Sequence, residues 1–162
     1  MLYKNINICL FFSFWILLVT SCQSQTRGYG RVLVDSSMHQ ILNDFVEDAE
    51  KNGYLNVRKL IKKNVHCIHY VSSFPSQGVL GYYQRTANSI EILSLVGTDK
   101  RLLKLVLYHE LGHALGCAGH VCEYCENIMS ADISKVDLEI IGTTSKWDEM
   151  VTKMFLDVLG KP

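Results

Sequence analysis

A pair of histidines four residues apart, with a glutamate directly after the first, constrains the fold of this chain more than any other feature. The motif reads HELGH and runs from His109 through Glu110 to His113. Positions i and i+4 of an α-helix lie one above the other on the same face, so both imidazoles can approach one metal ion. The pattern therefore predicts a helix that presents His109 and His113 to a metal.

A third histidine, His120, constrains the chain beyond this helix. A helix continued from His109 to His120 would separate them by roughly 16 Å at a rise of 1.5 Å per residue, too far for one ion. The helix must therefore end between His113 and His120. Gly116 and Gly119 are suited to end it, because glycine adopts the left-handed conformation found at helix C-termini. We expect the chain to turn back there and bring His120 to the metal.

Three protein ligands and an open fourth position are typical of a catalytic zinc ion. Such an ion lowers the pKa of water towards ~7 and polarises a carbonyl group. Glu110 is predicted to be the general base that takes a proton from the water and then protonates the leaving amine. The sequence thus predicts one catalytic Zn²⁺ ion held by His109, His113 and His120.

Acidic residues farther along the chain are alternative third ligands, since a downstream glutamate completes the site of thermolysin-like enzymes. These candidates are Asp132, Asp137 and Glu139. None of them accounts for Gly116 or for the later methionine, Met129, so we favour His120. A chance motif on an ordinary surface helix is the further alternative.

Segment 109–130 resembles the metzincin metallopeptidases, whose pattern is HExxHxxGxxH followed by a turn that carries a methionine. The matching positions are His109, Glu110, His113 and Gly116. Met129 resembles the methionine of this Met-turn, which forms an apolar layer beneath the metal in that clan. The third histidine departs from the pattern, because it stands at His120 and not at Gly119. The 12-residue span from His109 to His120 also resembles that of small bacterial zinc-protease lipoproteins.

The resemblance implies an α+β fold, namely a small metzincin-like zincin domain with a mixed twisted sheet, an active-site helix, a Met-turn and a C-terminal helix. It also implies a zinc metalloendopeptidase that acts on a peptide or protein substrate. An antiparallel edge strand binds the substrate backbone by strand addition in that clan. The resemblance places this strand at Gly81, Tyr82, Tyr83 and Gln84. An edge strand without such a role is the alternative.

The predicted elements agree with this layout. In chain order they are a strand at 31–34, a helix from about 38 that ends at Asn52-Gly53, a short helix at 56–63, strands at 66–71, 79–85 and 89–95, the motif helix capped by Thr98 or Asp99, and a closing helix from Ser145 to Leu159. The last two strands are expected to form a hairpin. The aromatic and methionine stripe of the closing helix is predicted to pack in the core.

Residues 1–21 have the features of an export signal. They carry one charge, Lys4, and an apolar run over 8–19 that is too short for a bilayer, which needs about 20 residues, but suits a signal peptide. The run leads into the letters VTSC at 19–22, which resemble a bacterial lipobox, so Cys22 is predicted to be lipidated. An ordinary signal peptide with a coincidental cysteine is the alternative.

The predicted domains are therefore the signal peptide at 1–21, the lipidated N-terminus and tether at 22–30, and one catalytic domain at 31–162. Without Lys4 the chain has 15 basic and 16 acidic residues and no large basic cluster, which argues against nucleic-acid binding. We expect a monomer anchored by lipid in a bacterial cell envelope, in the outer membrane and facing the periplasm or the surface.

Four cysteines follow Cys22, and an exported protein can form disulfides. They are Cys67, Cys117, Cys122 and Cys125. Three of them flank His120, so a disulfide there could fix the loop that carries the third ligand. A second, structural metal bound by these thiols is the alternative.

Two functions besides peptidase activity stay open. The chain could be a non-catalytic zinc-binding lipoprotein or binding module, although a structural site has no need of Glu110. It could also be a zinc amidase that acts on cell-wall peptides.

Overall fold

The computed structural model describes residues 32–123 and 125–162. The predicted signal peptide, the lipidation of Cys22 and the tether up to residue 30 lie outside the described residues, and they stay predictions.

A small mixed sheet forms one layer of the described part of the chain. Its strands are β1 (Leu33–Val34), β2 (Cys67–Val71), β3 (Gly81–Gln84) and β4 (Ser89–Leu93), in the spatial order β1-β2-β4-β3. The β1–β2 and β2–β4 pairs are parallel, whereas β3 pairs antiparallel with β4. The predicted hairpin is confirmed, and β3 lies at the edge of the sheet.

Four α-helices accompany the sheet in the described ranges. They are α1 (His39–Lys51), α2 (Val57–Asn64), α3 (Lys100–Leu115) and α4 (Ser145–Leu159). Helix α3 contacts β3, α2, α1 and α4. None of the helices in the described ranges is long and apolar enough to cross a membrane. The four helices and the mixed sheet form the α+β architecture that the sequence predicts.

Helix α3 carries the HELGH motif and lies at the centre of the fold. Its first turn is capped by Asp99, whose Oδ1 accepts hydrogen bonds from the backbone N–H groups of Arg101 and Leu102 at 2.8 and 3.2 Å. This is one of the two predicted caps. Eleven of the 16 helix residues are buried, so the helix is enclosed on most sides and its position is strongly constrained.

The motif helix ends where the third histidine requires it to end. Gly116 has a φ of +133°, and its N–H donates to the carbonyl oxygens of Gly112 and His113. The N–H of Cys117 also donates to the Gly112 carbonyl, at 3.2 Å. A left-handed glycine therefore terminates α3 after Leu115, as predicted. Gly119, the other candidate, does not have a positive φ.

Helix α4 closes the core, as its apolar stripe predicts. Its N-cap is Thr144, whose Oγ1 accepts from the backbone N–H of Trp147 at 3.3 Å, and it ends before Gly160. The Phe155 ring lies 5.1 Å from that of Phe45 on α1, and the Trp147 ring lies 5.3 Å from that of Tyr108 on α3 (centroid distances). These aromatic contacts join α1, α3 and α4 and hold α3 in place behind the site.

Candidate metal centre

The structure brings three histidines together at the end of α3. His109 and His113 lie one turn apart on the helix, and the turn at Gly116 returns the chain so that His120 faces them. One ring nitrogen of each histidine lies within 4.8 Å of the others. The ring centroids of His109 and His113 are 4.7 Å apart, and that of His120 is 5.1 Å from both. These three side chains could hold a metal ion.

Backbone carbonyls orient the two helical histidines. Nδ1 of His109 donates to the carbonyl oxygen of Ile128 at 2.7 Å, and Nδ1 of His113 donates to that of Cys117 at 2.9 Å. A carbonyl oxygen only accepts hydrogen bonds, so in the neutral imidazoles the proton is on Nδ1. The Nε2 atoms are consequently free to act as ligands. A metal-binding histidine usually donates its other ring N–H to a carbonyl or carboxylate oxygen in this way.

The two Nε2 atoms provide a test of whether a cation fits. They lie 3.1 Å apart, and in neutral rings neither carries a proton that could bridge them. Two facing lone pairs at that distance repel each other unless a cation lies between them. Ligands at ~2.0–2.1 Å from a tetrahedral ion are about 3.3 Å apart, so the observed separation suits one shared ion.

Burial keeps the first two imidazoles neutral. It lowers the pKa of His109 from 6.5 to about 4, and it also lowers the pKa of His113. Both rings are therefore unprotonated at neutral pH, which is the form that binds a metal. Protons therefore compete less for these two ligands than for an exposed histidine.

Met129 is fully buried and lies against the glycine inside the motif. A Cβ atom added to Gly112 would collide with the sulfur of Met129, so the absence of a side chain at 112 permits this contact. The backbone N–H of Met129 donates to Oδ1 of Asn127 at 2.8 Å. The neighbouring Ile128 carbonyl is the one that holds His109. The segment around Met129 thus supports the metal-binding face of α3.

The loop after His120 is fixed by backbone pairing and a disulfide. The N–H of Val121 donates to the carbonyl of Met129 at 3.0 Å, and that of Ala131 donates to the carbonyl of Cys122 at 2.9 Å. Cys122 and Cys125 form the disulfide. Together these bonds tie the segment after His120 to the segment around Met129.

The other two cysteines of the predicted set, Cys67 and Cys117, are not part of this disulfide. Cys117 is a free thiol, whose Sγ donates to the carbonyl oxygen of Gly119, so its inclusion among the disulfide candidates is corrected. Cys122 and Cys125 are three positions apart and reach each other, while the Cys117 side chain turns towards its own loop. Cys67 lies in β2 and takes no part in the Cys122–Cys125 bridge.

The acidic alternatives to the third ligand make other contacts. Glu139 forms an ion pair with Arg101 at 2.5 Å. Asp137 accepts from the backbone N–H of Glu139 at 2.9 Å, and Asp132 accepts from that of Ser134 at 3.0 Å. In the part of the chain that the structure describes, the metal-binding cluster at α3 contains the three histidines and none of these carboxylates.

Glu110 is a buried carboxylate that lies between α3 and the edge strand. Its exposed fraction is only 5%, and burial raises its pKa from 4.5 to about 8. The backbone N–H of Tyr83 donates to it and partly offsets this rise. A Cβ atom on Gly81 would lie 2.9 Å from both Cγ and Oε1 of Glu110. The bare backbone of Gly81 therefore permits the close approach of β3 to Glu110.

The ladder between β3 and β4 determines which backbone groups of β3 are free. The N–H of Leu93 donates to the carbonyl of Leu80 at 2.9 Å, and hydrogen-bonded pairs alternate along an antiparallel ladder. Tyr82 and Gln84 therefore bond to β4, while the peptide groups of Gly81 and Tyr83 point to the free edge. The predicted segment, Gly81 to Gln84, is thus an antiparallel edge strand beside Glu110.

A cleft of about 570 Å³ runs between β3 and the metal centre. The edge strand forms one wall, and the three histidines with Glu110 form its base. The opposite wall contains Ala131, Asp132, Ile133 and Ser134. The hydroxyl of Tyr83 donates to the carbonyl of Asn64 at 3.0 Å and anchors the edge strand to the end of α2.

Comparison with protein-family models, with curated proteins and with solved structures finds no match for this chain.

Proposed function

We propose that this chain is a zinc-dependent endopeptidase of the metzincin type, with Glu110 as the general base. One observation carries the proposal: a buried carboxylate, Glu110, lies beside the three histidines in an open cleft bordered by a free strand edge. A metal site with a purely structural role has no need of a carboxylate that is costly to bury. A hydrolase needs a base at this place.

The residues of the centre suit zinc. His109, His113 and His120 would hold the ion through ring nitrogens, and three neutral imidazoles are a common ligand set for catalytic zinc. When bound, zinc supplies Lewis acidity, which polarises a peptide carbonyl and lowers the pKa of water.

Glu110 is suited to move protons in both directions. Its raised pKa, about 8, lies close to neutral pH, where a general base exchanges protons most effectively. A cation beside it would favour the ionised form. In the proposed reaction the carboxylate takes a proton from the attacking water and transfers it to the nitrogen of the leaving amine.

The edge strand would align a peptide substrate. The N–H and carbonyl of Gly81 and the carbonyl of Tyr83 point to the free edge of β3, so an extended peptide could add to the sheet there. The N–H of Tyr83 is engaged by Glu110. Strand addition would thus place the substrate backbone over the base and the metal centre.

The proposed enzyme is a monomer anchored in the bacterial cell envelope through a lipid on Cys22. The lipobox-like letters VTSC at 19–22 support this part of the proposal. Its substrates would then be peptides or proteins outside the cytoplasm, and two or more acyl chains would give a stable anchor.

The test compares Glu110→Gln with a matched surface control, Glu149→Gln, in zinc-loaded protein. We expect Glu110→Gln to keep one zinc ion per chain but to cleave a diverse peptide library at least about 10²-fold more slowly, because a positioned base contributes on the order of 10²–10⁴. Glu149 is exposed on α4, so its variant should match the wild type. Equal rates for Glu110→Gln and the wild type would contradict the mechanism.

A second arm of the test separates the alternatives. Wild-type protein that binds zinc but cleaves no library peptide would favour a non-catalytic zinc-binding lipoprotein. Cleavage confined to amide bonds of cell-wall peptides would favour an amidase.

A further inference from the structure

We propose that Arg85 binds a carboxylate group of the substrate at the His113 end of the cleft and so determines which peptides are cleaved. This inference rests on the proposed function, and it names the substrate class: peptides with a carboxylate at one fixed place beside the scissile bond.

The position of Arg85 follows from the way β3 runs along α3. Gly81, at the start of the strand, lies against Val106 and Glu110. One residue before the strand ends at Gln84, the hydroxyl of Tyr83 donates to the carbonyl of Asn64, whose amide donates to the carbonyl of Ala114, next to His113. Arg85 follows the last strand residue and lines the same cleft as His113. The strand and the helix therefore run side by side, and the guanidinium lies at the end of the cleft where His113 is located.

Arg85 is the only lysine or arginine among the described residues that line the cleft. Within residues 32–123 and 125–162, no carboxylate lies within ion-pair distance of it. Six other basic side chains of the described chain do have an acidic partner, including Arg101 with Glu139 and Lys104 with Asp44. The cation that faces the cleft is thus left available for a ligand.

Neither of the two acidic side chains that line the cleft, Glu110 and Asp132, forms an ion pair with Arg85. Glu110 lies at the other end of β3, against Gly81. Asp132 lies on the opposite wall, where its carboxylate accepts from the backbone N–H and the hydroxyl of Ser134. Its nearest cation is Lys135, at 3.9 Å. Asp132 therefore has its hydrogen-bond and ion-pair partners within its own loop. The charge of Arg85, on the other wall, has no acidic partner among the described residues.

The chemistry of arginine indicates the ligand. A guanidinium presents parallel N–H donors that match the two oxygens of a carboxylate, and such charge-assisted pairs are stronger than neutral hydrogen bonds. An extended peptide on the edge of β3 would pass Arg85 at one residue position only. The carboxylate could belong to an aspartate or glutamate side chain at that position or to the C-terminus of a short substrate.

The experiment uses zinc-loaded protein and a peptide library in which each sequence occurs in four forms. These forms combine an acidic or an amide side chain at the varied position with a free or an amidated C-terminus. Cleavage by wild type, Arg85→Ala, Arg85→Lys and Arg85→Glu is read by mass spectrometry. The matched control is Lys59→Ala, which removes one exposed positive charge on α2 outside the cleft.

We expect the wild type to prefer the carboxylate form at one position by about tenfold or more, equivalent to about 1.4 kcal/mol. Arg85→Ala should lose this preference, Arg85→Lys should keep part of it, and Arg85→Glu should invert it in favour of the amide form. Lys59→Ala should match the wild type. If the cleavage rate changes with the acidic or amide side chain, the bound carboxylate belongs to a side chain. If it changes with amidation of the C-terminus, the bound carboxylate is the C-terminus.

Equal cleavage of carboxylate and amide forms by the wild type would overturn the proposal, as would an unchanged preference in Arg85→Ala. A separate binding arm distinguishes this failure from failure of the proposed function. Immobilised zinc-loaded Glu110→Gln protein, with Arg85 intact or changed to alanine, is incubated with the same library, and retained peptides are identified. Retention of carboxylate forms that depends on Arg85, without any cleavage by the wild type, would support the Arg85 site and contradict the peptidase. Retention without preference would overturn the Arg85 site.

Discussion

The carbonyl oxygen of Ile128 accepts a hydrogen bond from Nδ1 of His109 at 2.7 Å, so the turn next to Met129 sets the orientation of the first metal ligand. The same turn places the Met129 sulfur against Gly112, between the two helical histidines. The fold therefore couples metal affinity to the packing of a segment that contributes no ligand itself.

Gly112→Ala should weaken this coupling. The added methyl group would collide with the sulfur of Met129, which must shift and take the Ile128 carbonyl with it. We expect the free energy of unfolding to fall by about 1–3 kcal/mol, as for other overpacked cores, and zinc affinity to fall about tenfold. Urea unfolding and competitive zinc titration measure the two effects. Gly119→Ala is the control, since nothing lies within 4 Å of its added Cβ, and equal behaviour of the two variants would contradict the packing argument.

Gly81→Ala should affect activity without removing the metal. Its Cβ would lie 2.9 Å from Oε1 of Glu110 and 2.7 Å from Cγ1 of Val106, so it would displace the proposed base and leave the three histidines in place. We expect a rate loss of about tenfold or more, because a small misplacement of a reacting group is costly. Metal analysis should still give one zinc ion per chain. Loss of zinc together with activity would show that β3 supports the ligands and not only Glu110.

The Cys122–Cys125 disulfide should stabilise the position of His120. The double variant Cys122→Ser/Cys125→Ser, or treatment with a reductant, should lower zinc affinity about tenfold, because the loop after the third ligand loses its constraint. Cys117→Ser is the matched control: a serine hydroxyl can still donate to the Gly119 carbonyl, and the carbonyl that holds His113 is unchanged. An unchanged affinity in the double variant would show that backbone pairing alone fixes His120.

The stability of the metal-free protein should depend on pH through Glu110. Because its folded pKa is about 8 and its usual value is 4.5, the folded state binds more protons between these values, so stability falls as pH rises through this window. His109 has the opposite effect on stability. Because its pKa is about 4 in the folded state and 6.5 in the unfolded state, the unfolded state binds more protons between these values, and stability falls as pH falls through this window.

The Glu110→Gln variant isolates the contribution of Glu110 to this pH dependence. The stability of the variant relative to the wild type should increase from pH 6.5 to 8, with an upper limit of about 1.4 kcal/mol per pH unit. Urea unfolding of chelator-treated protein at several pH values measures this difference. A difference that does not change with pH would contradict the assignment of a buried, uncharged Glu110 to the metal-free protein.

The sequence predicts the parts of the centre that follow from local geometry. Histidines four residues apart require one helix face, and the distance to His120 requires the helix end that Gly116 provides. The hairpin of β3 and β4 follows from the short turn between these strands, whereas the edge position of β3 is implied only by the resemblance to metzincins.

Other parts of the centre have no signature in the sequence. The carbonyls of Ile128 and Cys117 orient the histidines, yet a backbone carbonyl is present at every residue and nothing marks these two. Likewise, four cysteines allow several pairings, and only the folded loop determines that Cys122 bonds to Cys125. The approach of Arg85 to His113 depends on the alignment of β3 with α3, which is a tertiary feature.

X-ray absorption at the zinc edge of the zinc-loaded protein tests the central claim most directly, since it identifies the atoms bound to the ion. Three imidazole nitrogens at about 2.0–2.1 Å with an oxygen in the remaining position are the predicted result. A sulfur at about 2.3 Å, or fewer than three imidazoles, would contradict a centre formed by His109, His113 and His120.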